Sequence, residues 1–180
     1  MKNTSFFISF FYSFTLLFLT QIALGQNSGN SFYGTFSKDE YKGSGQNWKF
    51  VKDKRGIIYV ANTQGILQYD GKNWKKIKIE NGKGTRAIAL DSRGRIYYGS
   101  PNSFGYLEID SLGNYQTIKI SQHIQEKYDV IPNIWRIRII KDEIFFQSLK
   151  GVFKFTPYKN HPTVLLVRKL EEEGQFSMFT

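Results

Sequence analysis

The sequence predicts an all-β fold made of β-propeller blades, namely about three four-stranded antiparallel blades of an incomplete propeller. Two observations predict it. A unit appears three times at a period of about 40 residues, which is typical of one blade. Each copy divides into four strand-like runs, and Gly, Asp, Asn or Pro residues separate the runs. Because propellers typically need about 4–8 blades, we expect this chain to be the opening portion of a longer propeller.

The repeat is clearest in DKRGIIYVANTQGILQYDGKNW (53–74) and DSRGRIYYGSPNSFGYLEIDSLGNY (91–115). The first halves match at a spacing of 38 residues and the second halves at 40, so the sequence places a two-residue insertion in SPNSFG. In a third copy, over 135–168, Gly151 stands for the glycine that follows the second strand. Turn formation and strand packing explain the repeated positions. They are Asp53, Gly56, Tyr59, Gly65, Tyr69, Asp70, Trp74, Asp91, Gly94, Tyr97, Gly105 and Asp110.

The strand-like runs set the predicted domain organisation. Runs such as WKKIKI (74–79) alternate apolar and polar residues, as a strand with one solvated face does. The blades are expected at about 47–80, 85–120 and 134–168, within a partial propeller over 47–180. A lead-in segment, 26–46, precedes them. SQHIQEKYDV (121–130) is the one stretch with helical character.

Residues 1–25 predict a signal peptide. They begin with Lys2, continue through an aromatic and aliphatic stretch, and end with the small residues Ala23 and Gly25. An uncleaved membrane anchor is the alternative, since the apolar stretch is just long enough to span a bilayer. Polar residues dilute that stretch, which favours cleavage. We therefore expect an exported protein on the periplasmic or extracellular face.

Composition excludes several classes of function. The 180-residue chain has no cysteine, so a disulfide framework, a thiolate zinc site and a cysteine nucleophile are excluded. Its formal net charge of +10 suits nucleic acid, anionic glycans or a membrane surface, and the export signal disfavours nucleic acid. The two histidines, His123 and His161, have no partner at metal-ligand spacing. We expect no cofactor, no metal and no catalytic residue.

The repeat resembles that of the two-component regulator propeller family, whose blades read as a hydrophobic strand, Asp-x-x-Gly-x-aromatic, then Gly-Leu-x-x-Tyr-Asp-Gly-x-x-Trp. The resemblance covers residues 43 to about 168 and is best in the first copy. The second copy has Glu108-Ile109-Asp110 at the end of its motif, and the third lacks the Asp-x-x-Gly corner. The matching positions are Asp53, Gly56, Ile58, Tyr59, Gly65, Ile66, Tyr69, Asp70, Gly71 and Trp74.

The resemblance implies a function in signalling. Such propellers form the periplasmic sensor of large one-chain regulators, followed by a membrane helix and a histidine-kinase or helix-turn-helix output. The implied ligand is a polysaccharide or oligosaccharide, and the implied partners are the remaining blades of a longer chain and a second copy in a homodimer. We expect no enzyme activity from this chain itself. The alternatives are a secreted propeller enzyme resembling a polysaccharide lyase, and an adhesion module.

Candidate binding residues are few. Phe104 and Tyr106, taken as loop aromatics outside the repeat frame, are the predicted ligand contacts. Trp48 and Trp135 sit at similar starts of blades, which favours packing between blades over sugar binding. For a lyase, His123 with Glu126 is the nominal catalytic pair. A basic cluster is interpreted as the solvated face of a strand. It consists of Lys72, Lys75, Lys76, Lys78, Lys83 and Arg86.

Overall fold

The computed structural model describes residues 10–12, 34–79, 84–125, 131–157 and 163–169. The chain divides into two compact units, Met1–Thr35 and Phe36–Thr180. In the first unit, residues 10–12 are helical; the rest of the predicted signal peptide lies outside the described residues and stays a prediction. Within the described ranges, no helix combines the length and apolar character that a membrane span requires.

The second unit consists of three consecutive four-stranded antiparallel sheets, which confirms the predicted all-β class and the four-stranded repeat. Sheet 1 contains β1 (Asn47–Lys52), β2 (Ile58–Asn62), β3 (Gly65–Tyr69) and β4 (Trp74–Ile77). Sheet 2 contains β5 (Ala87–Leu90), β6 (Ile96–Ser100), β7 (Ser103–Ile109) and β8 (Tyr115–Lys119). Sheet 3 contains β9 (Ile134–Ile140), β10 (Glu143–Ser148), β11 (Gly151–Thr156) and β12 (Thr163–Lys169). Two short helices are described, α1 (Lys38–Tyr41) and α2 (Gln122–Gln125).

Strand order within each sheet follows the chain, so the first strand lies at one edge and the fourth at the other. The first strands contact one another, β1 with β5 and β5 with β9. They therefore form the inner edge of the three sheets, as the first strands of propeller blades do around a common axis.

Two hydrophobic cores join the sheets face to face. Alternate residues of a strand point to opposite faces, so sheet 2 contributes to both cores. Burying these aromatic and aliphatic side chains is the main stabilising term of the fold. The core between sheets 1 and 2 includes Tyr59, Ala61, Ile66, Ile77, Ile88, Ile96, Tyr98 and Leu107. The core between sheets 2 and 3 includes Ala87, Tyr97, Phe104, Ile120, Ile137, Ile144, Phe146, Phe153 and Phe155.

The repeated aspartates cap the turns that connect strands. Asp53 Oδ1 accepts hydrogen bonds from the backbone N–H groups of Arg55 (2.9 Å) and Ile57 (3.0 Å). Gly56 has a φ of 88°, a conformation that favours glycine. The turns at Asp70, Asp91 and Asp110 repeat this arrangement of carboxylate and following N–H groups.

The third sheet uses a different turn between its first two strands. Lys141 and Asp142 both have positive φ values, 49° and 64°, and directly join β9 to β10. Two consecutive left-handed residues are the requirement of a tight two-residue hairpin whose twist matches the strands. This turn replaces the Asp-x-x-Gly corner that the sequence of the third copy lacks.

The strand register corrects the position of the insertion. Asn62 pairs with Gly65, and Ser100 pairs with Ser103, so the β2–β3 and β6–β7 turns have equal length. In that turn the counterpart of Gly65 is therefore Ser103, and the two extra residues lengthen β7, which has seven residues where β3 has five. Toward the fourth strand, the predicted match of Gly65 with Gly105 holds. A Cβ on Gly65 would lie 2.6 Å from the backbone carbonyl oxygen of Ile77, and a Cβ on Gly105 would collide with that of Ile118.

The lead-in segment covers part of sheet 1. Ser37 caps helix α1, accepting a hydrogen bond from Glu40 N while Glu40 Oε2 accepts one from Ser37 N. The Tyr41 ring lies 5.8 Å from that of Trp74, and Trp74 stacks on Tyr69 at 4.7 Å. Aromatic packing thus fixes this segment on the face of sheet 1 opposite to sheet 2.

Candidate functional site

The sheets have two chemically different ends. At the turn end lie the turns that leave the first strands, around Asp53 and Asp91, and those around Asp70 and Asp110. At the connection end, β1, β5 and β9 begin and the chain passes from one sheet to the next. Each end carries a cavity bounded by basic side chains.

The connection end holds the candidate site, a cleft of about 580 Å³ that we call the axial cleft. Its lining comes from the beginnings of the three innermost strands. Two tryptophans and four cations form it, and they are Trp48, Lys49, Arg86, Trp135, Arg136 and Arg138. The volume lies within the range of about 300–1,000 Å³ that is usual for small-ligand pockets.

The centre of the axial cleft is an arginine between two indole rings. The Arg86 guanidinium carbon lies 4.2 Å from the ring centroid of Trp135 and 5.6 Å from that of Trp48. The two indoles meet edge to face, with centroids 6.0 Å apart. Stacking of this kind holds a guanidinium in place while its in-plane N–H groups remain able to donate hydrogen bonds.

The three central residues occupy equivalent positions in their sheets. Trp48 and Trp135 each lie at an irregularity in strand pairing, in β1 and β9 respectively. Arg86 directly precedes β5, and its backbone N–H donates to Gly99 O at 2.9 Å. A bulge re-aims a side chain relative to the regular pleat. The same device therefore turns both indoles toward the axis.

Asn62 positions the segments that precede two residues of the cleft. Its side chain is fully buried and accepts hydrogen bonds from Ser44 N (3.0 Å) and Gln64 N (2.9 Å). Its Nδ2 donates to Ser44 O and to Asn47 Oδ1, both at 2.7 Å. The backbone C=O of Asn62 accepts from Thr85 N at 2.8 Å. The Asn62 side chain thus fixes the residues that precede Trp48, and its backbone carbonyl holds Thr85, which precedes Arg86.

Close backbone approach also shapes the cleft. A Cβ on Gly99 would lie 2.5 Å from Ile134 Cγ2, so glycine allows β9 to pack against β6. A Cβ on Gly84 would collide with the backbone carbonyl of Thr63. The hydroxyl of Thr63 in turn accepts a hydrogen bond from Trp48 Nε1 at 3.3 Å. These glycines bring Trp135 and Arg86 close to Trp48.

The electrostatics of the axial cleft are those of an unneutralised basic site. No Asp or Glu lines it, and none of its cations forms an ion pair within the described part of the chain. Desolvation, followed by the positive charges of Arg138 and Arg136, lowers the pKa of Lys49. Arg136 Nη1 is buried and has no hydrogen-bond partner among the described residues. Such a group normally has a partner, since leaving it unsatisfied is costly.

The cavity at the turn end, about 490 Å³, contains carboxylates as well as cations. Arg55 donates to Asp53 Oδ2 from Nε (3.0 Å) and Nη2 (2.8 Å). Burial raises the pKa of Asp53, but hydrogen bonds from Arg55 and from backbone N–H groups outweigh it and leave the pKa below its ordinary value. The Lys54 amine donates to Ser92 O at 3.4 Å. At this end, the charged side chains of Asp53, Arg55 and Lys54 form hydrogen bonds that stabilise the turns.

The predicted ligand contacts lie in strand β7, and their predicted placement in a loop is wrong. Phe104 is fully buried, with its ring centroid 4.5 Å from that of Phe146, so it has no surface for a ligand. Tyr106 is half-buried and packs on Tyr97 at 6.2 Å, with the Arg95 guanidinium 4.5 Å from its ring. Ligand binding by Tyr106 stays a prediction.

Repeated aromatics pack between strands and sheets. Tyr59 is fully buried, and its hydroxyl lies 2.7 Å from that of Tyr115 in the neighbouring sheet. Burial and this hydrogen bond raise the pKa of Tyr59. Tyr97, its counterpart in sheet 2, donates to Asp91 Oδ2 at 3.1 Å. Tyr115 thus contacts the neighbouring sheet, whereas Trp74 packs on the lead-in segment.

The predicted basic cluster separates into two groups. Lys72, Lys75, Lys76 and Lys78 are exposed on or near β4, as expected for the solvated edge of a sheet, and Lys83 lies outside the described residues. Arg86 departs from the cluster and lies in the axial cleft. His123 is exposed on α2, while Glu126 and His161 lie outside the described residues. No group of three metal-ligating side chains occurs in the described ranges.

Sequence reasoning missed the axial cleft. The predicted packing of Trp48 between blades agrees with its contact with Trp135 of sheet 3, but 39% of its surface remains exposed. The signal was present: both tryptophans occupy the second position of a first strand, and a cation occupies the equivalent position in the middle copy. Only convergence of the first strands makes that pattern a site.

No family model and no curated protein matches the chain, so the family resemblance stays a prediction. Similar solved structures include two of the extracellular domain of B. thetaiotaomicron BT4673, described in one case as a proposed one-component and in the other as a proposed hybrid two-component system. Each has 15% identity and a TM-score of 0.49 over 66% of this chain. The extracellular domain of the proposed hybrid two-component system BT3049 has 18% identity and a TM-score of 0.47 over 67%. This chain spans 15% to 17% of the length of those domains.

Proposed function

We propose that this chain is a ligand-sensing, extracytoplasmic part of a two-component-type signalling protein, and that the axial cleft binds an oligosaccharide. The observation that carries the proposal is the arrangement of Trp48, Trp135 and Arg86 at the end of the inner strands. Pockets with a few convergent polar groups on a rigid scaffold are the usual ligand sites of folded domains. The signal-peptide pattern and the repeat resemblance support an exported sensor.

The proposed mechanism is non-covalent. A ligand in the axial cleft would contact sheets 1, 2 and 3 at once, since each contributes lining residues. It would therefore favour one relative packing of the sheets, and binding can shift a conformational equilibrium by its differential affinity for the two states. That shift, or a changed arrangement of two copies, would pass to the output part of the protein.

Sheet 3 supports the proposal that further blades are partners. On β12, Val164 and Leu166 pack on the core, while the alternate residues Leu165 and Val167 are each 56% exposed. Two exposed aliphatic side chains on the outer face of β12 suit packing against another sheet. We propose that this face contacts the next blade of a longer chain.

Two experiments test the proposed function. Fusion of alkaline phosphatase to the chain in a bacterial host should give active enzyme, since the phosphatase matures only after export. A thermal-shift screen of the purified chain against oligosaccharides should raise the Tm by about 5 °C at saturating ligand. An inactive fusion, or the absence of a shift with every saccharide, would contradict the proposal. Appearance of new reducing ends during incubation would instead support the lyase alternative.

A further inference from the structure

We infer that the ligand of the axial cleft is an acidic oligosaccharide, with its carboxylate or sulfate group bound by Arg86, Arg136 and Arg138 and a sugar ring against Trp48. This inference rests on the proposed function and adds the chemical class of the ligand. Charge, hydrogen-bond donors and ring geometry support it separately.

The first argument is charge. Lys49, Arg86, Arg136 and Arg138 share one cleft, and no carboxylate lines it. Like charges that line one cleft repel one another, and a concave site with low-dielectric walls focuses their electric field. A neutral ligand would leave that repulsion in place, whereas an anion would relieve it.

The second argument is the supply of oriented donors. The Arg86 guanidinium carbon lies 4.2 Å from the ring centroid of Trp135, and a guanidinium held against a ring keeps N–H donors for a ligand. Arg136 adds the buried Nη1 that has no partner among the described residues. Guanidinium groups bind oxyanions through two parallel N–H···O bonds to two oxygens on one centre, which both a carboxylate and a sulfate ester provide.

The third argument is the exposed indole. Trp48 is 39% exposed, while its Nε1 is tied to the Thr63 hydroxyl, so the ring is fixed at the rim. A fixed aromatic surface beside cations suits the apolar C–H face of a pyranose better than a bare inorganic ion. An acidic sugar provides both the ring and the anionic group.

Calorimetric titration of the chain with tetragalacturonate and with its carboxyl-reduced, neutral form tests the inference. A sulfated disaccharide and its desulfated form provide the second matched pair. We expect the acidic member of at least one pair to bind at least ten-fold more tightly, with an affinity that falls as salt rises. Arg86→Gln and Arg138→Gln should each weaken that binding about ten-fold or more, since a charged hydrogen bond is lost. Lys75→Gln, which removes the same charge from an exposed position on β4, should leave it unchanged.

The outcomes separate the inference from the proposed function. Equal binding of acidic and neutral forms would overturn the inference and leave the proposed function standing, whereas binding of no saccharide would overturn both. Inorganic sulfate that binds as tightly as the acidic sugar would overturn the sugar component. Trp48→Ala should weaken the binding of the acidic sugar but not that of sulfate. Trp48→Phe, which keeps an aromatic ring, should retain much of the wild-type affinity for the acidic sugar. Because Arg138 is exposed, its variant should fold normally and keep the test valid.

Discussion

The two ends of the sheets carry similar numbers of cations but use them in opposite ways. At the turn end, Arg55 is held by Asp53 through two hydrogen bonds, and the carboxylates organise backbone turns. At the connection end, Arg86 and Arg136 face a cleft without a carboxylate, and their support comes from indole rings and backbone contacts. Basic charge alone therefore does not identify a binding site. What distinguishes one is charge that the fold positions without neutralising.

The largest effect is expected for Asn62→Ala, which removes the buried side-chain amide that positions the residues before Trp48. Ser44, Gln64 and Asn47 would lose part-buried hydrogen bonds to it, at a cost of about 1 kcal/mol each. We expect the free energy of unfolding to fall by about 3 kcal/mol in urea titrations. Gln64→Ala, at an exposed neighbouring position, should change it by less than about 0.5 kcal/mol. Equal effects of the two variants would show that Asn62 has no special role.

A smaller effect is expected at the turn end, from Asp91→Ala. Asp91 is buried and accepts hydrogen bonds from Arg93 N, Arg95 N and the Tyr97 hydroxyl. Its removal should lower the free energy of unfolding by about 2 kcal/mol. Asp110→Ala removes an analogous but more exposed turn cap and should cost about 1 kcal/mol. Thermal and urea unfolding should rank them in that order, and the reverse order would contradict the role of burial.

The Asp53 carboxylate should make the turn end sensitive to acid. Its pKa in the folded chain lies below the ordinary value of 3.8, so the unfolded chain binds a proton first as the pH falls. The stability that Asp53 contributes is present above about pH 4 and is lost as the pH falls through the lowered pKa. Asp53→Asn should therefore differ most from the wild-type chain near neutral pH and least below that pKa. A constant difference across the pH range would exclude this contribution.

The smallest effects should have opposite signs at the two ends. Arg138→Gln should raise the free energy of unfolding by a few tenths of a kcal/mol, because it reduces repulsion within the axial cleft. Arg55→Gln should lower it by a similar amount, because it breaks a solvent-exposed ion pair with Asp53. Both differences should shrink as ionic strength rises. Changes of the same sign would remove the electrostatic distinction between the ends.

Much of the fold could be predicted because the determining interactions are local. Asp53, Gly56, Asp91 and Gly94 form turns through their own backbone neighbours, so their spacing indicates strand boundaries directly. The position of the insertion could not be predicted in this way. Pairing between strands shows that the insertion lengthens β7 and leaves the β6–β7 turn as short as the β2–β3 turn.

The candidate site could not be predicted from the sequence, for a related reason. The difference between copies at Phe104 predicts a ligand contact, yet the alternation of β7 points this side chain into the core. The recurrence of Trp48 at Trp135 predicts packing between sheets, and the bulges add what it does not predict, namely that both rings turn toward the axis. Side-chain direction at a bulge depends on the partner strand, which lies elsewhere in the sequence.

By itself, the sequence determined the all-β class, the four-stranded repeat and the turn-forming aspartates and glycines, because strand periodicity and turn chemistry are properties of short segments. The tertiary structure alone decided that residues 48, 86 and 135 meet. Their convergence needs three sheets packed through two cores, with β1, β5 and β9 side by side at the inner edge. The contacts that form the axial cleft join residues far apart along the chain, and only packing brings such residues together.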